Sequence, residues 1–310
     1  MKFSHIPVML NECLDGLQPK SGGIYFDGTL GGGGHSYEIL RRSSPNGKLI
    51  ATDRDSEAIL AGTERLKEFQ GRYTVVKSNF KNFLEVTSEL NIFGIDGAIL
   101  DLGVSSYQLD NRDRGFSYMS NETRLDMRMD AGATFSAYEL INEYSEDKLK
   151  YVLSMYGEER FASSIAKNII EARKDKPIVT TGELVEICEK SIPYKFKKEG
   201  HPAKKTFQAV RIAVNEELDG LDKALYDIFS RLNKGGRLVV ITFHSLEDRI
   251  VKTVFKDLQT ACICDKRYPC VCGRKQQGLE VTKKPIIASK EELEINSRSK
   301  CAKLRIIEKL

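Results

Sequence analysis

No apolar run in this chain approaches the roughly 18 residues that a membrane-spanning helix needs. The opening stretch, MKFSHIPVMLNECLDGL, lacks the basic segment and long apolar run of a secretory signal. Both absences lead to the expectation of a cytoplasmic protein with no membrane partner. No internal repeat or low-complexity tract occurs, so the order of apolar segments is the useful signal. Strong net charge is also missing: 48 Lys and Arg against 44 Asp and Glu leave +4, which by itself names no partner. The seven cysteines are expected to be thiols or metal ligands, because a reducing compartment disfavours a disulfide framework. What is present suffices for a large core: 310 residues, 41% of them hydrophobic, can bury one core or one core plus a satellite domain.

The charge is unevenly placed. Residues 248–310 hold fifteen Lys or Arg and eight Asp or Glu, which makes that tail +7 and the remainder −3. A second cluster sets Lys195, Lys197, Lys198, Lys204 and Lys205 against Glu199 and interleaves Tyr194, Phe196 and Phe207. Cations neutralise phosphates and aromatic rings stack on bases, so both regions suit RNA. A solvated charged face is the competing reading.

Apolar segments alternate with helical periodicity at the two ends of the chain. Ile24-Tyr-Phe-Asp27, Lys48-Leu-Ile-Ala-Thr-Asp53, Tyr73-Thr-Val-Val76 and Asp96-Gly-Ala-Ile-Leu-Asp101 read as buried strands, with a helical stretch from Ser56 to Phe69. From about Tyr107 to Arg211 helical periodicity dominates, as over Ala137 to Lys174, and Thr180-Thr-Gly-Glu183 resembles a capping box. After a helical stretch from Phe207 to Leu232, strands return at Gly236 to Phe243 and Ala302 to Ile307, with Ser245 expected to cap a helix from Leu246 to Leu258. This order implies an α/β, doubly wound parallel sheet interrupted by a helical insertion. The expected division is 1–107, first part; 108–211, helical insertion; 212–310, second part.

Asp27-Gly-Thr-Leu-Gly-Gly-Gly-Gly-His35 follows the first strand directly, and its glycines permit the turn and the close approach that a nucleotide-like ligand requires. Asp53 closes the second strand, where a carboxylate can accept both ribose hydroxyls. A nicotinamide dinucleotide and S-adenosylmethionine both fit such a constellation. The glycine spacing is not a clean G-x-G-x-x-G, and Asp27 would repel a pyrophosphate while suiting the charged amino end of a methionine moiety. S-adenosylmethionine is favoured. Phe80, just past the third strand, can stack on adenine or simply belong to the core.

Asp101-Leu-Gly-Val-Ser-Ser106 ends the fourth strand, at the edge where open α/β sheets bind ligands. With this string the chain resembles the RsmH (MraW) family of bacterial ribosomal RNA cytosine-N4 methyltransferases, which have a Rossmann-like class I methyltransferase fold. The resemblance runs almost end to end. It rests also on His5-Ile-Pro-Val-Met-Leu, the glycine loop, Arg114-Gly-Phe-Ser117, Leu125-Asp-Met-Arg-Met-Asp130, Tyr156-Gly-Glu-Glu159, Thr206-Phe-Gln-Ala-Val-Arg-Ile212 with Asn215, Phe243-His-Ser-Leu-Glu-Asp-Arg249, and Ser297 to Arg305. The resemblance implies cofactor contacts at Gly33, Gly34, His35, Asp53, Phe80, Asp101 and Gln108, and an insertion that helps bind RNA. It also implies transfer of a methyl group from S-adenosylmethionine to the N4 amine of a cytidine at the P site of 16S rRNA, with rRNA or the small ribosomal subunit as partner. A homodimer stays open. In one respect the chain departs from the wider class of amino-methyltransferases: Asp101 is followed by Leu-Gly-Val, not by two prolines and an aromatic, so the usual clamp on the target amine is absent.

A conjugated cytosine amine is a poor nucleophile, so catalysis should consist of positioning plus an acceptor for an amine N–H. Asp101 and His244 are the catalytic candidates, with Ser245 and Asp248 expected either to line the target pocket or to cap the helix. The target cytidine must be unstacked to reach the methyl, and Phe116, Tyr118 and Phe207 can hold it or serve ordinary packing. His5 and His201 have no assigned role. Cys262-Ile-Cys264 and Cys270-Val-Cys272 could close around one structural zinc or remain free thiols on a loop. Because relatives of the resembled family can lack these cysteines, a metal there would stabilise the loop and take no part in methyl transfer. Two rival readings are a nicotinamide-dependent dehydrogenase and a non-catalytic ribosome assembly factor.

Overall fold

The computed structural model describes residues 6–265, 267 and 269–310, with residues 106, 198 and 199 described by their backbone alone. His5 lies outside the described residues. In chain order, α1 (Leu10–Leu17), β1 (Ile24–Asp27), α2 (Gly34–Arg42), β2 (Lys48–Asp53), α3 (Ser56–Leu66), β3 (Tyr73–Lys77), α4 (Phe83–Glu89) and β4 (Ile95–Asp101) form an alternating run. Helices α5 (Ser106–Asp110), α6 (Ala137–Glu143), α7 (Glu146–Met155), α8 (Ala162–Asp175), α9 (Thr181–Ser191) and α10 (Lys204–Asn215) follow. Then come α11 (Leu221–Arg231), β5 (Leu232–Thr242), α12 (Ser245–Gln259), β6 (Gly278–Glu280), β7 (Ile286–Ile287), α13 (Lys290–Ile295) and β8 (Lys303–Lys309). Two compact units result: the chain up to Gly103 together with Asp219–Leu310, and Val104–Leu218. The second division follows α10, whose periodicity carries past 211 and stops where Glu216 takes a left-handed conformation.

In the first unit the strand order is β3-β2-β1-β4-β5-β8-β6, with β7 also pairing with β8. The five strands from β3 to β5 are parallel, and β8 runs antiparallel to β5. Residues alternate between the two faces as strand geometry requires. Phe26, Ile50, Leu100, Leu238 and Val240 face a core closed by α4, α11 and α12. Tyr25, Leu49, Ala51, Ile99, Val239 and Ile241 face the opposite core with α1 and α2. This is the expected Rossmann-like α/β sheet. Strand order reverses direction between β1 and β4, and that switch point places the carboxyl ends of β1, β2 and β4 side by side.

The second unit has its own core, built around Leu140, Ile165, Ile169, Leu184 and Val210. Its helices are shorter than the sequence pattern suggests: the stretch from Ala137 to Lys174 is three helices. The first break is capped by Ser145, and Glu158 adopts a positive φ of 47° in the second. Thr180 and Glu183 form the expected capping box at the start of α9. Several of the motif strings serve this unit's backbone. Asn215 accepts from the Met129 N–H at 2.7 Å and donates to the Met127 carbonyl at 2.7 Å, while Arg114 donates to the carbonyls of Arg128 and Met129. Such groups satisfy an irregular segment that has no ladder of its own.

A candidate cofactor site at the carboxyl edge of the parallel sheet

Three strands that end side by side each end in an aspartate: Asp27 on β1, Asp53 on β2 and Asp101 on β4. The environments of these carboxylates differ, and the differences assign their work.

Asp27 is fully buried and spends both oxygens on the glycine loop. Oδ1 accepts the Thr29 N–H at 3.0 Å and Oδ2 accepts the Ser36 hydroxyl at 2.6 Å. Burial pushes its pKa up to about 6, against the opposing pull of the Ser36 and Thr29 hydrogen bonds. The carboxyl therefore shapes the turn between β1 and α2. The same turn needs glycine in two places. Gly33 has φ of +72°, and a Cβ there would stand 3.1 Å from the Gly62 Cα on α3; a Cβ on Gly28 would stand 2.3 Å from Leu100 and 2.8 Å from the Phe80 Cβ.

Asp53 ties the second strand to this loop. Its Oδ2 accepts the Gly31 N–H at 2.8 Å and its Oδ1 accepts the Asp55 N–H at 2.9 Å. A carboxylate offers about four lone-pair directions, so each oxygen can take a further donor. Burial raises the Asp53 pKa despite these bonds. Phe80 opens a short turn after β3 and is half-buried against the core, beside Gly28.

Asp101 is the exception among the three. Its N–H donates to the Thr29 hydroxyl at 2.7 Å, which holds β4 to the loop. The side-chain Oδ1 is buried with no hydrogen-bond partner, and Oδ2 lies 3.9 Å from His35 Nδ1. Burial, then the charges of Asp27 and Glu247, push its pKa up to about 8. An unpaired buried oxygen costs free energy, on the order of 1–3 kcal/mol, unless a ligand supplies the donor. His35 is buried at the start of α2 with Nε2 on the Val8 carbonyl at 3.1 Å, which leaves Nδ1 as the acceptor facing Asp101.

At the end of β5 the structure differs from expectation. His244, not Ser245, caps α12: its Nδ1 accepts the Glu247 N–H at 3.4 Å, and Glu247 Oε2 accepts the N–H groups of Phe243 at 2.9 Å and His244 at 3.4 Å. An imidazole acceptor followed three residues later by a carboxylate does the work usually given to serine and glutamate. Ser245 is exposed. Asp248 is bound to β8, with Arg305 Nε at 2.7 Å and Lys303 Nζ at 3.1 Å; burial would raise its pKa, but these cations hold it below the usual range. Its partners explain its place better than a target pocket does. Glu247, which sequence reading passed over, is buried with Oε1 3.1 Å from His244 Nε2. Its signal was the i, i+3 spacing from a residue type seldom considered as a cap.

The remaining candidates belong to the second unit. Gln108 is buried in α5 and closes a capping box with Ser105, whose N–H it accepts at 3.0 Å. Phe116 and Phe207 are core residues, and Tyr118 packs edge-on to Phe207 and stacks on His201. That contact gives His201 a packing role. In the lysine-rich segment Lys195 lies over the Phe196 ring, while Lys204 and Lys205 are exposed and Lys205 donates to the Glu158 carbonyl. The side chain of Lys198 lies outside the described residues. No helix among the described residues is long and apolar enough to cross a membrane.

Comparison with known proteins adds an independent line. A family model described as the MraW methylase family matches residues 2–310. The protein named ribosomal RNA small subunit methyltransferase H from Clostridium botulinum (strain Loch Maree / Type A3) is 55% identical over 311 residues, covering 100% of both chains. Its namesake from C. botulinum (strain 657 / Type Ba4) is 56% identical over 311 residues with the same coverage. The protein of that name from Lachnospira eligens is 52% identical over 312 residues, covering 100% of this chain and 99% of the relative.

Proposed function

The chain belongs to the MraW methylase family, and from that premise we propose that this methyltransferase carries a methyl group from S-adenosylmethionine to the exocyclic N4 amine of a cytidine in 16S rRNA. Its partner is the rRNA itself or the small subunit, as the names of its relatives suggest. The observation that carries the cofactor half of this reading is the buried, unpartnered Oδ1 of Asp101 beside the glycine loop and Asp53. An ammonium is the donor that such a carboxyl lacks, and S-adenosylmethionine bears one.

S-adenosylmethionine supplies a sulfonium methyl already activated for displacement. The chain's residues do the rest. Asp53 accepts from the ribose hydroxyls while keeping the Gly31 and Asp55 amides. Gly33, Gly34 and His35 bring the start of α2 against the ligand, and Phe80 offers a ring to the adenine. Asp101 holds the amino end of the cofactor through its unpartnered Oδ1. His244, held in one tautomer by its cap, borders the target. In-line positioning is the larger contribution, because the nucleophile is weak and the electrophile is already activated. The cytidine enters unstacked, since a stacked base cannot present its amine.

The test is incubation of the purified protein with methyl-labelled S-adenosylmethionine and either naked 16S rRNA or assembled small subunits, followed by mapping of the modified nucleotide. Label on a cytidine N4 is expected. Label on a ring carbon, on a ribose hydroxyl or on another base would overturn the assignment.

A further inference from the structure

Between α12 and β6 the chain makes a loop whose described residues take no part in an apolar core. Ile263 and Val271 are exposed at 68% and 89%, so neither contributes to packing. The loop's ends are pinned: the Gln277 N–H donates to the Leu258 carbonyl at 3.0 Å and Gln259 to Glu280 at 3.1 Å. Within it, Cys262, Cys264, Cys270 and Cys272 bring four thiol sulfurs within 4.8 Å of one another. Cys262 Sγ is 3.4 Å from Cys270 Sγ and 3.8 Å from Cys272 Sγ, and the Cys270 and Cys272 sulfurs are 3.6 Å apart.

These separations discriminate among the things four cysteines can do. A disulfide brings two sulfurs to about 2.05 Å, and no pair here is that close. A polynuclear iron–sulfur cluster inserts several irons and bridging sulfides between its thiolates, which spreads them beyond the reach of a single ion. Four sulfurs each about 2.3 Å from one central ion stand about 3.8 Å apart along every edge of the tetrahedron. The three separations among Cys262, Cys270 and Cys272 match the last case, and the Cys264 sulfur lies within 4.8 Å of each of them. Two backbone amides also point at sulfur: the Cys264 N–H at Cys262 Sγ and the Val271 N–H at Cys264 Sγ, both at 3.4 Å. Donors of that kind stabilise thiolates more than neutral thiols.

We propose that Cys262, Cys264, Cys270 and Cys272 bind one zinc ion in a closed tetrahedral site that orders the loop between α12 and β6. With four protein ligands and no open position, the ion is structural. Ligation displaces the thiol protons, so affinity falls as the solution is acidified. The energy of binding supplies order that the exposed Ile263 and Val271 do not provide.

The experiment uses the full-length chain, produced with zinc in the medium and purified without a chelating tag or chelator. Elemental analysis is expected to give about one zinc per chain, and none in the Cys264→Ser, Cys272→Ser double variant, while Cys301→Ser keeps the ion. Alkylation of the native protein should mark exposed Cys301 and spare the four loop cysteines until the metal is stripped. Should the double variant fold poorly, tryptic cleavage after Arg267 or Arg274 in the wild type should rise on chelation and fall again on adding zinc. Cobalt substituted for zinc should show thiolate-to-metal charge transfer and tetrahedral ligand-field bands. Zinc-free protein with four freely alkylated cysteines, a mass deficit showing disulfides among them, or stoichiometric iron in place of zinc would each overturn the proposal.

Discussion

Replacing Asp101 with Asn should weaken cofactor binding and at the same time stabilise the empty protein, and the two effects have different pH windows. In the folded chain the carboxyl is held protonated up to about pH 8 by burial and by the nearby charges of Asp27 and Glu247. An ammonium binds the ionised form. At pH 7 a group with that pKa is ionised in about one molecule in eleven, so binding must work against the proton, and affinity for S-adenosylmethionine should rise about tenfold for each pH unit up to about pH 7.5. The rise flattens near pH 8, where an α-amino group begins to lose its own proton. Asn carries no titrating proton, so the variant should show no such slope. Near pH 8 its affinity should be about ten- to a hundredfold lower, the loss of a hydrogen bond between charged groups at about 1.5–3 kcal/mol. Stability runs the other way. A carboxyl whose folded pKa is raised contributes stability that is complete below its unfolded pKa of about 3.9 and is lost as pH climbs through the folded value. The cofactor-free Asn variant should therefore melt above the wild type at pH 8 and beside it at pH 4. Calorimetric titration from pH 6 to 8 with thermal melts over pH 4 to 8 reads both. A flat wild-type affinity, or an Asn variant that keeps the acid slope, would refute the role given to Asp101.

Asp53→Ala should raise the cofactor Kd while the chain stays folded, since it removes two ribose contacts worth about 1.5–3 kcal/mol each and frees the Gly31 amide; unchanged affinity by calorimetry would remove Asp53 from the site. Replacing Lys195, Lys204 and Lys205 with Ala removes up to three phosphate contacts, each contributing about 0.7–0.9 to the salt slope of RNA binding. Cofactor affinity should not change, and an unaltered salt slope would leave these lysines as a solvated face. Methyl transfer should survive a zinc chelator, because the cysteine loop follows α12 and lies outside the glycine loop and the strand ends of the proposed cofactor site; loss of activity that zinc alone restores would contradict this.

Much of the sheet was legible because strand burial is written directly in sequence. Runs such as Lys48 to Asp53 and Gly97 to Asp101 are apolar on both faces, as a doubly covered parallel strand must be. The short strands β6 and β7 were not legible. Gly278–Glu280 and Ile286–Ile287 carry too few apolar residues to show a period, and they become strands because β8 offers them an edge. Helix ends in the inserted unit were missed for a related reason. Periodicity passes smoothly through Asn215 toward Leu221, and what stops α10 is the left-handed turn at Glu216, which no glycine or proline advertises.

In the site, position could be read and environment could not. The three aspartates stand at strand ends, so topology alone puts them on one edge, yet their chemistry diverges through contacts that sequence spacing does not specify. Asp27 and Asp53 each accept one donor on each oxygen, but Asp27 is buried beneath the loop by Thr29 and Ser36 while Asp53 is only partly buried. Asp248 looked like a pocket residue by its place on α12, but Arg305 and Lys303 arrive from a strand more than fifty residues away and hold it. Asp101 has neither kind of partner for Oδ1, and the proposed cofactor contact rests on that difference from Asp27 and Asp248. Its neighbours add to the effect of burial: His35 gives its Nε2 to the Val8 carbonyl with Nδ1 3.9 Å from Asp101 Oδ2, and the charge of Glu247, buried to cap α12, helps raise the Asp101 pKa. Ionising a carboxyl in such surroundings costs free energy, a cost its proton avoids below about pH 8 and that the proposed cationic ligand would offset. The pH at which cofactor affinity stops rising and the excess stability of Asp101→Asn at pH 8 both depend on that raised pKa, so they should shift together.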